Sequence, residues 1–351
     1  MLIKVPGMKK PPTFNKDRRD PTVVLGIMNP GASARGNSYW KLMRSCPREH
    51  ALQSIVGLRR EGDQEALTVG LTFHHALEVY YRCIQAHQYA LGTTAERPDI
   101  ASPEYFWGAT EAAEKLAWKS IDAMASEPGY EDTYAELERM LASYFDCHRR
   151  TDKWRILAVE ETLEYADEGR WRSNIDIPGG REDTQTAGPM EYSARLDLIV
   201  EDYSAGGMWI VEHKTARSIT EDLLSGYQMD QQILGQAWLL RACVDLTRYP
   251  ALRGVNVNIT SKHKTPKHER CQVMPSRRHL AAFEGSMRSW NALKPAFEHH
   301  GWPKALGNCS GPAHYFKKCP YFDVCHGQPE ASVADLVRAD APLGYVKTTE
   351  S

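Results

Sequence analysis

No apolar run in this chain approaches the roughly 20 residues that a membrane-spanning helix needs. There is also no excess of basic charge: over 351 residues the formal net charge is -2. The first absence argues against a helical membrane protein. The second argues against a surface uniformly attractive to nucleic acid, so any such affinity must come from local patches. The opening residues, Met1-Leu-Ile-Lys-Val-Pro-Gly-Met-Lys-Lys-Pro-Pro12, lack the apolar centre of an export signal, which sets the expectation of a cytoplasmic protein in which disulfides are disfavoured. Internal repeats and helicase motifs are missing as well, so a motor, if one is used, must be another chain. What is present is enough apolar sequence, 42% of residues, to bury a substantial core in one large or two modest domains.

Changes of pattern divide the chain. Residues 1–37 are rich in Pro, Gly and charge, with Lys9, Lys10, Lys16, Arg18 and Arg19, and read as a flexible arm. Residues 38–150 read as mainly helical, with amphipathic runs at 112–118 and 134–144 and no ligand-like cluster in either run. From Trp154 the pattern becomes strand-like. Arg155–Glu164 reads as a first strand, the Gly- and Asp-rich stretch 167–189 as a long loop, and Arg253–Thr260 as a strand following a helix. This order predicts a mixed α/β core over 151–300. A cysteine-bearing module follows at 301–326, and 327–351 reads as a polar tail.

The chemistry concentrates between Ala194 and Thr215. Asp197 lies in an apolar run ending at Val200, Tyr203–Gly207 supplies a turn, and a second run from Met208 delivers Glu212 and Lys214 two positions apart. Side chains two apart on a strand share a face, so His213 points the other way. Two carboxylates and a lysine around one point suit phosphodiester cleavage: the carboxylates hold a divalent ion, and the ammonium orients water or stabilises phosphate charge. Exposed hairpin charges can give the same spacing. Upstream, Gly70, His74 and Glu78 recur every four residues within a helical pattern and so share a face; a histidine there can be a ligand, a surface group or part of the core. Downstream, Gln228, Gln232 and Gln236 recur at the same interval. That amide row can be a solvated face, or it can bond a phosphate or a metal-bound water.

Taken together, Asp197, the Glu212-His213-Lys214 tripeptide, the Gly70/His74/Leu77-Glu78 register and Gln232 resemble the PD-(D/E)XK nuclease superfamily. More narrowly they resemble its RecB-like branch, which includes CRISPR-adaptation, AddB-type and phage exonucleases. The resemblance implies a restriction-endonuclease-like mixed sheet flanked by helices, with a helical N-terminal region and a C-terminal cysteine module. It selects His74 over His75 as a metal ligand beside Asp197, Glu212 and the main-chain carbonyl of His213, with Mg2+ or Mn2+ as the ion. It also implies Asp197, Glu212, Lys214 and Gln232 as catalytic residues, and Glu160, at the end of the first strand, as a possible further one. The family pattern carries tyrosine where this chain has Gln236.

The cysteines add a separate signal. Cys309, Cys319 and Cys325 cluster near the C-terminus and Cys46 lies far upstream, whereas Cys83, Cys147, Cys243 and Cys271 stand singly and read as interior thiols. Three thiolates fall one short of the set that holds a cubane cluster or a structural zinc. Iron-sulfur nucleases of the RecB-like type have an N-terminal Ser followed by Cys-Pro-Arg, matched by Ser38 and Cys46-Pro47-Arg48. The resemblance therefore implies one [4Fe-4S] cluster on Cys46, Cys309, Cys319 and Cys325, stapling the two ends of the fold together; zinc and plain buried thiols are the alternatives.

The expected function is a metal-dependent deoxyribonuclease, an exonuclease before an endonuclease, acting in DNA processing, recombination or repair in a bacterial or phage-infected cell. Its expected partners are single-stranded DNA or duplex ends and a helicase or recombination and repair protein, with no membrane. Lys262, Lys264 and Lys267 lie in a basic segment running to Arg278 that either contacts DNA phosphates or is a solvated loop. The alternative function is a non-cleaving DNA-binding or complex-scaffolding protein with a nuclease-like fold, for which a lost motif carboxylate or lysine would be the sign; none is lost.

Overall fold

The computed structural model describes residues 35–60, 65–94, 102–125, 131–167, 189–244, 246, 250–305, 309, 318–327, 332–342 and 345–347. The expected arm up to residue 34 and the loop 168–188 lie outside them. In chain order the elements are α1 (Asn37–Ser45), α2 (Pro47–His50), a π-helical turn (Ala51–Ile55), β1 (Leu58–Arg60), α3 (Glu65–Thr94), α4 (Pro103–Trp107), α5 (Thr110–Ala125), α6 (Glu131–His148), β2 (Trp154–Asp167), β3 (Met190–Asp202), β4 (Met208–Ala216), α7 (Glu221–Tyr227), α8 (Gln231–Cys243), β5 (Leu252–Ser261), β6 (His268–Val273), α9 (Arg277–His299), α10 (Phe322–Gly327), α11 (Val333–Arg338) and β7 (Tyr345–Lys347). The chain divides into two compact units. One holds Ala66–Leu163 and Arg195–Leu280, and the other holds Thr22–Glu65, Glu164–Ala194 and Ala281–Ser351.

The first unit is built on a five-stranded mixed sheet in the order β2-β3-β4-β5-β6. Strands β3 and β4 form an antiparallel hairpin. Its turn is fixed by the Asp202 carboxylate, which accepts from the amides of Ser204 at 2.7 Å and Ala205 at 2.9 Å. Gly207 has φ +83°, and a Cβ there would meet the Ala251 carbonyl at 2.8 Å, so only glycine fits. β4 and β5 are parallel, which demands a crossover; α7 and α8 supply it. β6 then returns antiparallel to β5.

Helices α3, α5 and α6 pack their apolar sides on the sheet. In α3, Val69, Phe73, Ala76, Leu77, Tyr80, Tyr81 and Ile84 are buried together with Ala113 and Ala117 of α5, Met140, Leu141 and Tyr144 of α6, and Leu198, Val200, Trp209 and Val211 of β3 and β4. The spacing of three and four in α3 is that of one helical face. Two glutamines fasten this helix to β2: Gln85 donates to the Leu157 carbonyl at 3.1 Å, while Gln88 donates to the Trp154 carbonyl at 2.7 Å and accepts from the Ile156 amide at 2.8 Å.

Three expectations need correction. The segment 261–270 is not one loop: Lys262–Lys267 form the tip of the β5–β6 hairpin, and His268–Arg270 enter β6. Charged residues hid this strand, because its only well-buried side chain is Val273. The row Gln228, Gln232, Gln236 is not one helical face. Helix α8 starts at Gln231, capped by the Asp230 carboxylate on the amides of Gln232 and Ile233, and Gln228 ends α7. Nor is 327–351 only a polar tail, since Val333 and Leu336 of α11 and Tyr345 of β7 are buried and β7 pairs antiparallel with β1.

The second unit gathers residues from both ends of the chain. Tyr321 donates to the Leu58 carbonyl at 3.0 Å. In α9, Arg288 pairs with both oxygens of Asp167, at 3.0 and 2.8 Å, and with Glu284 at 2.9 Å. The expected helical region 38–150 is thus split, with Cys46 in the second unit and His74 in the first.

Within the first unit, Arg270 of β6 is a second anchor. It grips both oxygens of Asp152 at 2.9 and 3.0 Å, donates to Asn258 at 2.7 Å and lies 4.6 Å over the Trp154 ring. Arg270→Leu strands the Asp152 carboxylate, which burial already pushes towards its neutral form. The expected loss, read by chemical denaturation, is about 3 kcal/mol, and a change under about 1 kcal/mol, the value of an exposed pair, would show that the pair does not hold the edge strand.

Candidate active site

Four elements bring the candidate residues together. Asp197 and Glu212 are the residues next beyond the Leu198–Val211 pair of the β3–β4 hairpin, so the ladder that joins the strands also juxtaposes the two acids. Both are buried, at 8% and 2% exposure. The third element, α3, presents His74, whose Nδ1 lies 3.3 Å from Asp197 Oδ2. The fourth, α8, presents Gln232 and Gln236 one turn apart.

The hydrogen bonds are dense. Asp197 Oδ2 accepts from the backbone amide of His213 at 2.8 Å. Lys214 Nζ donates to Glu212 Oε1 and to Gln232 Oε1, the latter at 2.9 Å. Gln232 Nε2 donates to Glu212 Oε1 at 2.5 Å, and Gln236 Nε2 donates to Glu212 Oε2 at 2.6 Å. Glu160 of β2 completes the group: one ligand atom each from His74, Glu160 and Asp197 lies within 4.8 Å of the others. Glu160 stands inside β2 rather than at its end, with φ +50°, a left-handed backbone that costs a non-glycine residue on the order of 1–3 kcal/mol.

The electrostatics follow from burial set against opposite charge. Burial pushes the Asp197 carboxyl up, but the charge and hydrogen bond of His74, helped by the His213 amide, outweigh it and hold Asp197 well below the usual carboxylate range. Burial, then the nearby Asp197 charge, push Glu212 upward against Lys214. The same two causes push Glu160 up to about 8 against the opposing charge of Arg195, whose Nε lies 2.7 Å away. Burial opposes the charged form of Lys214, yet Glu212 raises it. His74 is likewise raised, burial being outweighed by Asp197. The site therefore gathers three carboxyl groups whose charged forms burial opposes, with His74, Lys214 and Arg195 set against them; a divalent cation bound there would favour the ionised carboxylates.

His213 turns away from the acids, as alternation along β4 requires. Its ring stacks on Tyr81 at 5.7 Å and meets Tyr144 edge-on at 5.8 Å. Both ring nitrogens lack a hydrogen-bond partner among the described residues, and burial pushes its pKa down to about 3, so the ring is neutral packing beneath the site. His75 is exposed and faces Glu78 at 3.7 Å. Gly70 of α3 faces the end of β4, where an added Cβ would make an ordinary contact of 3.6 Å with Thr215 Oγ1. Lys262, Lys264 and Lys267 lie at the hairpin tip just past the end of β5, and the Lys262 amide donates to the Ala216 carbonyl at the end of β4. They thus stand at the same end of the sheet as Lys214.

Sequence reasoning missed Arg195. Its position two residues before Asp197 on β3, hence on the same face, was the signal that could have found it. It also left Gln236 without a partner, because no spacing rule shows that a helical amide reaches a strand carboxylate.

In the second unit, Cys46, Cys309, Cys319 and Cys325 line one cavity of about 350 Å3, with Glu49, Lys304 and His326. None of the four is in a disulfide. The Cys319 amide donates to the Cys309 carbonyl at 2.8 Å, and the Ala305 amide to Cys46 Sγ at 3.5 Å. Burial, with Glu49 and the neighbouring thiols adding to it, pushes Cys319 up to about 12 against the Tyr321 amide. Burial also raises Cys325, against Arg48 and Lys304.

A mixed five-stranded sheet flanked by helices, with buried acids and a lysine converging at one end, defines a nuclease-like α/β protein. A family model for the PD-(D/E)XK nuclease superfamily matches residues 38–326, and the chain belongs to that superfamily. Divalent-metal use is typical of these nucleases, and the fold implies a DNA substrate. No curated protein matches the chain. A solved structure titled as the crystal structure of SSO0001 aligns with a TM-score of 0.25 and 11% identity, over 64% of this chain and 86% of that one, a likeness too slight to bear on function. No helix among the described residues is long and apolar enough to cross a membrane.

His74 and His75 separate by their surroundings. His74→Ala should lower Mn2+ affinity, measured by calorimetry, by at least the 10- to 100-fold that supporting residues of metal sites typically cost. His75→Ala should leave it unchanged. The reverse ranking would place the ion elsewhere on α3.

Proposed function

We propose that the chain is a Mg2+- or Mn2+-dependent deoxyribonuclease of the RecB-like branch, an exonuclease acting on single-stranded DNA or duplex ends in recombination or repair in the cytoplasm of a bacterial or phage-infected cell. The observation that carries this reading is the convergence of His74, Glu160, Asp197, Glu212, Lys214 and Gln232 at one end of the sheet. The donor set fits the ion: carboxylate oxygens suit Mg2+, and the imidazole of His74 tilts the preference towards Mn2+. His74, Asp197, Glu212 and the main-chain carbonyl of His213 would hold it, with Glu160 a further ligand. When bound, the ion lowers the pKa of water and offsets charge developing on phosphate.

The chain's own groups do the rest. Lys214 places an ammonium beside Glu212, where it orients the attacking water or meets the phosphate oxygen. Gln232, already bonded to both Lys214 and Glu212, aligns water or the scissile phosphate. The tip lysines Lys262, Lys264 and Lys267 neutralise backbone phosphates close to the cleavage point.

In the second unit, the same reading assigns one [4Fe-4S] cluster to Cys46, Cys309, Cys319 and Cys325. The fit rests on four thiols around one cavity much larger than a single ion, and on Cys319 and Cys325, whose thiols burial holds against ionisation unless a cation compensates them. Ligation by four thiolates ties the N-terminal segment to the C-terminal one, adding stability only to the closed state. Hydrolysis needs no redox step.

Purified without oxygen and assayed on end-labelled single- and double-stranded DNA, the protein should cut only with Mg2+ or Mn2+. Asp197→Ala and Lys214→Ala should each lose cutting while melting as the wild type does. Equal activity in all three proteins would reject the site.

The cluster has its own readout. Iron and acid-labile sulfide should each approach about four per chain if the ligands are those of a cubane, and Cys46→Ala should lose both together with thermal stability, whereas Cys83→Ala should not. Zinc without sulfide, or an unaffected Cys46→Ala protein, would overturn the assignment.

A further inference from the structure

We propose that Gln236 is a positioning residue for Glu212, fixing the plane of its carboxylate so that the ion meets a preformed ligand. This deepens the metal-dependent reading above and rests on it.

Gln236 is 1% exposed, on the side of α8 that faces the sheet. Its neighbours there, Ile233, Ala237 and Leu240, are fully apolar and equally buried. An amide among them is a poor choice for packing alone, since its Oε1 has no hydrogen-bond partner among the described residues and an unpaired buried acceptor costs stability. The other end of the amide accounts for the choice. Gln236 Nε2 donates to Glu212 Oε2 at 2.6 Å. Glu212, when ionised, only accepts, so the NH2 group must face it and the carbonyl must be the end left over.

The division of labour between the two oxygens sharpens the role. Glu212 Oε1 already receives Lys214 and Gln232, whereas Gln236 is the donor on Oε2 among the described residues. With Gln236 in place the carboxylate is held at both ends and cannot turn about its terminal torsion, a torsion that is intrinsically soft. Without it, Glu212 pivots about the Lys214 and Gln232 contacts. Gln232 and Gln236 are one helical turn apart, so a rigid helix sets both donors at once. Gln236 is buried at 1% exposure, with its amide nitrogen on Glu212. It acts through Glu212.

The test uses the whole protein and two variants. Gln236→Met keeps the volume and removes the donor together with the unpaired oxygen, so it should fold as the wild type does. Gln236→Asn keeps the amide but withdraws it by one methylene, which guards against a packing fault peculiar to methionine. Mn2+ affinity is read by electron paramagnetic resonance without DNA, and kcat and KM are read on labelled DNA across Mn2+ concentrations. Both variants should bind Mn2+ about 10- to 100-fold more weakly, the usual effect of losing a group that orients a metal ligand. Their KM for DNA should not move, and kcat should return as Mn2+ reaches saturation. Unchanged Mn2+ affinity, or a kcat loss that Mn2+ does not restore, would overturn the proposal. Wild-type cutting with unaffected variants would reject only the role of Gln236. Weakened Mn2+ binding in a protein that never cuts DNA would reject only the nuclease reading.

Discussion

Two carboxylates side by side inside a sheet repel each other and lose their hydration, and the first unit is arranged around that difficulty. Asp197 is offset by His74 and a backbone amide; Glu212 is offset by Lys214 and two glutamine amides. Each of these groups comes from an element whose placement is fixed by something else. The apolar side of α3 and its glutamine clasps to β2 bring His74 in. The Asp230 cap and the apolar side of α8 aim Gln232 and Gln236. The ladder of β3 and β4 aligns the acids, and the buried neutral ring of His213 fills the opposite side between Tyr81 and Tyr144. Burial still raises the Glu212 and Glu160 carboxyls, and the divalent ion typical of the superfamily would favour their ionised forms.

Much of this was legible before any coordinates. The β-branched runs around Asp197 and Glu212 carry the period of strands, and Tyr203–Gly207 carries the glycines of a turn, so the hairpin and the shared face of Glu212 and Lys214 followed from local rules. The long helix with His74 followed from periodicity in the same way. The rest depended on tertiary contact. Strand β6 was hidden because Arg270 is charged and yet enclosed, held by Asp152 and Trp154, partners more than a hundred residues away in sequence. The break between Gln228 and Gln232 was hidden because the Asp230 cap outranks a repeating interval of four. The placement of Glu160 within β2, in a left-handed conformation, has no sequence signature at all.

The second unit depends on a different constraint. Its parts come from distant stretches of the chain, and four thiols meet at a cavity among them. Short pieces such as β1, β7 and α11 bury few side chains each, and Leu58, Tyr345, Val333 and Leu336 are the contacts that hold them. Small elements with so little apolar area have much to gain from a bound group that crosslinks them. In the sequence β7 and α11 read as tail, and β1 as part of a helical region, because three-residue strands and a six-residue helix leave too short a pattern to detect.

Diffraction from crystals grown with Mn2+ tests directly whether the acids and His74 hold one ion. Anomalous differences at the manganese edge should show a peak bounded by His74, Glu160, Asp197 and Glu212, lost in Asp197→Ala crystals. A peak that persists in that variant, or one that lies away from these four side chains, would contradict the account.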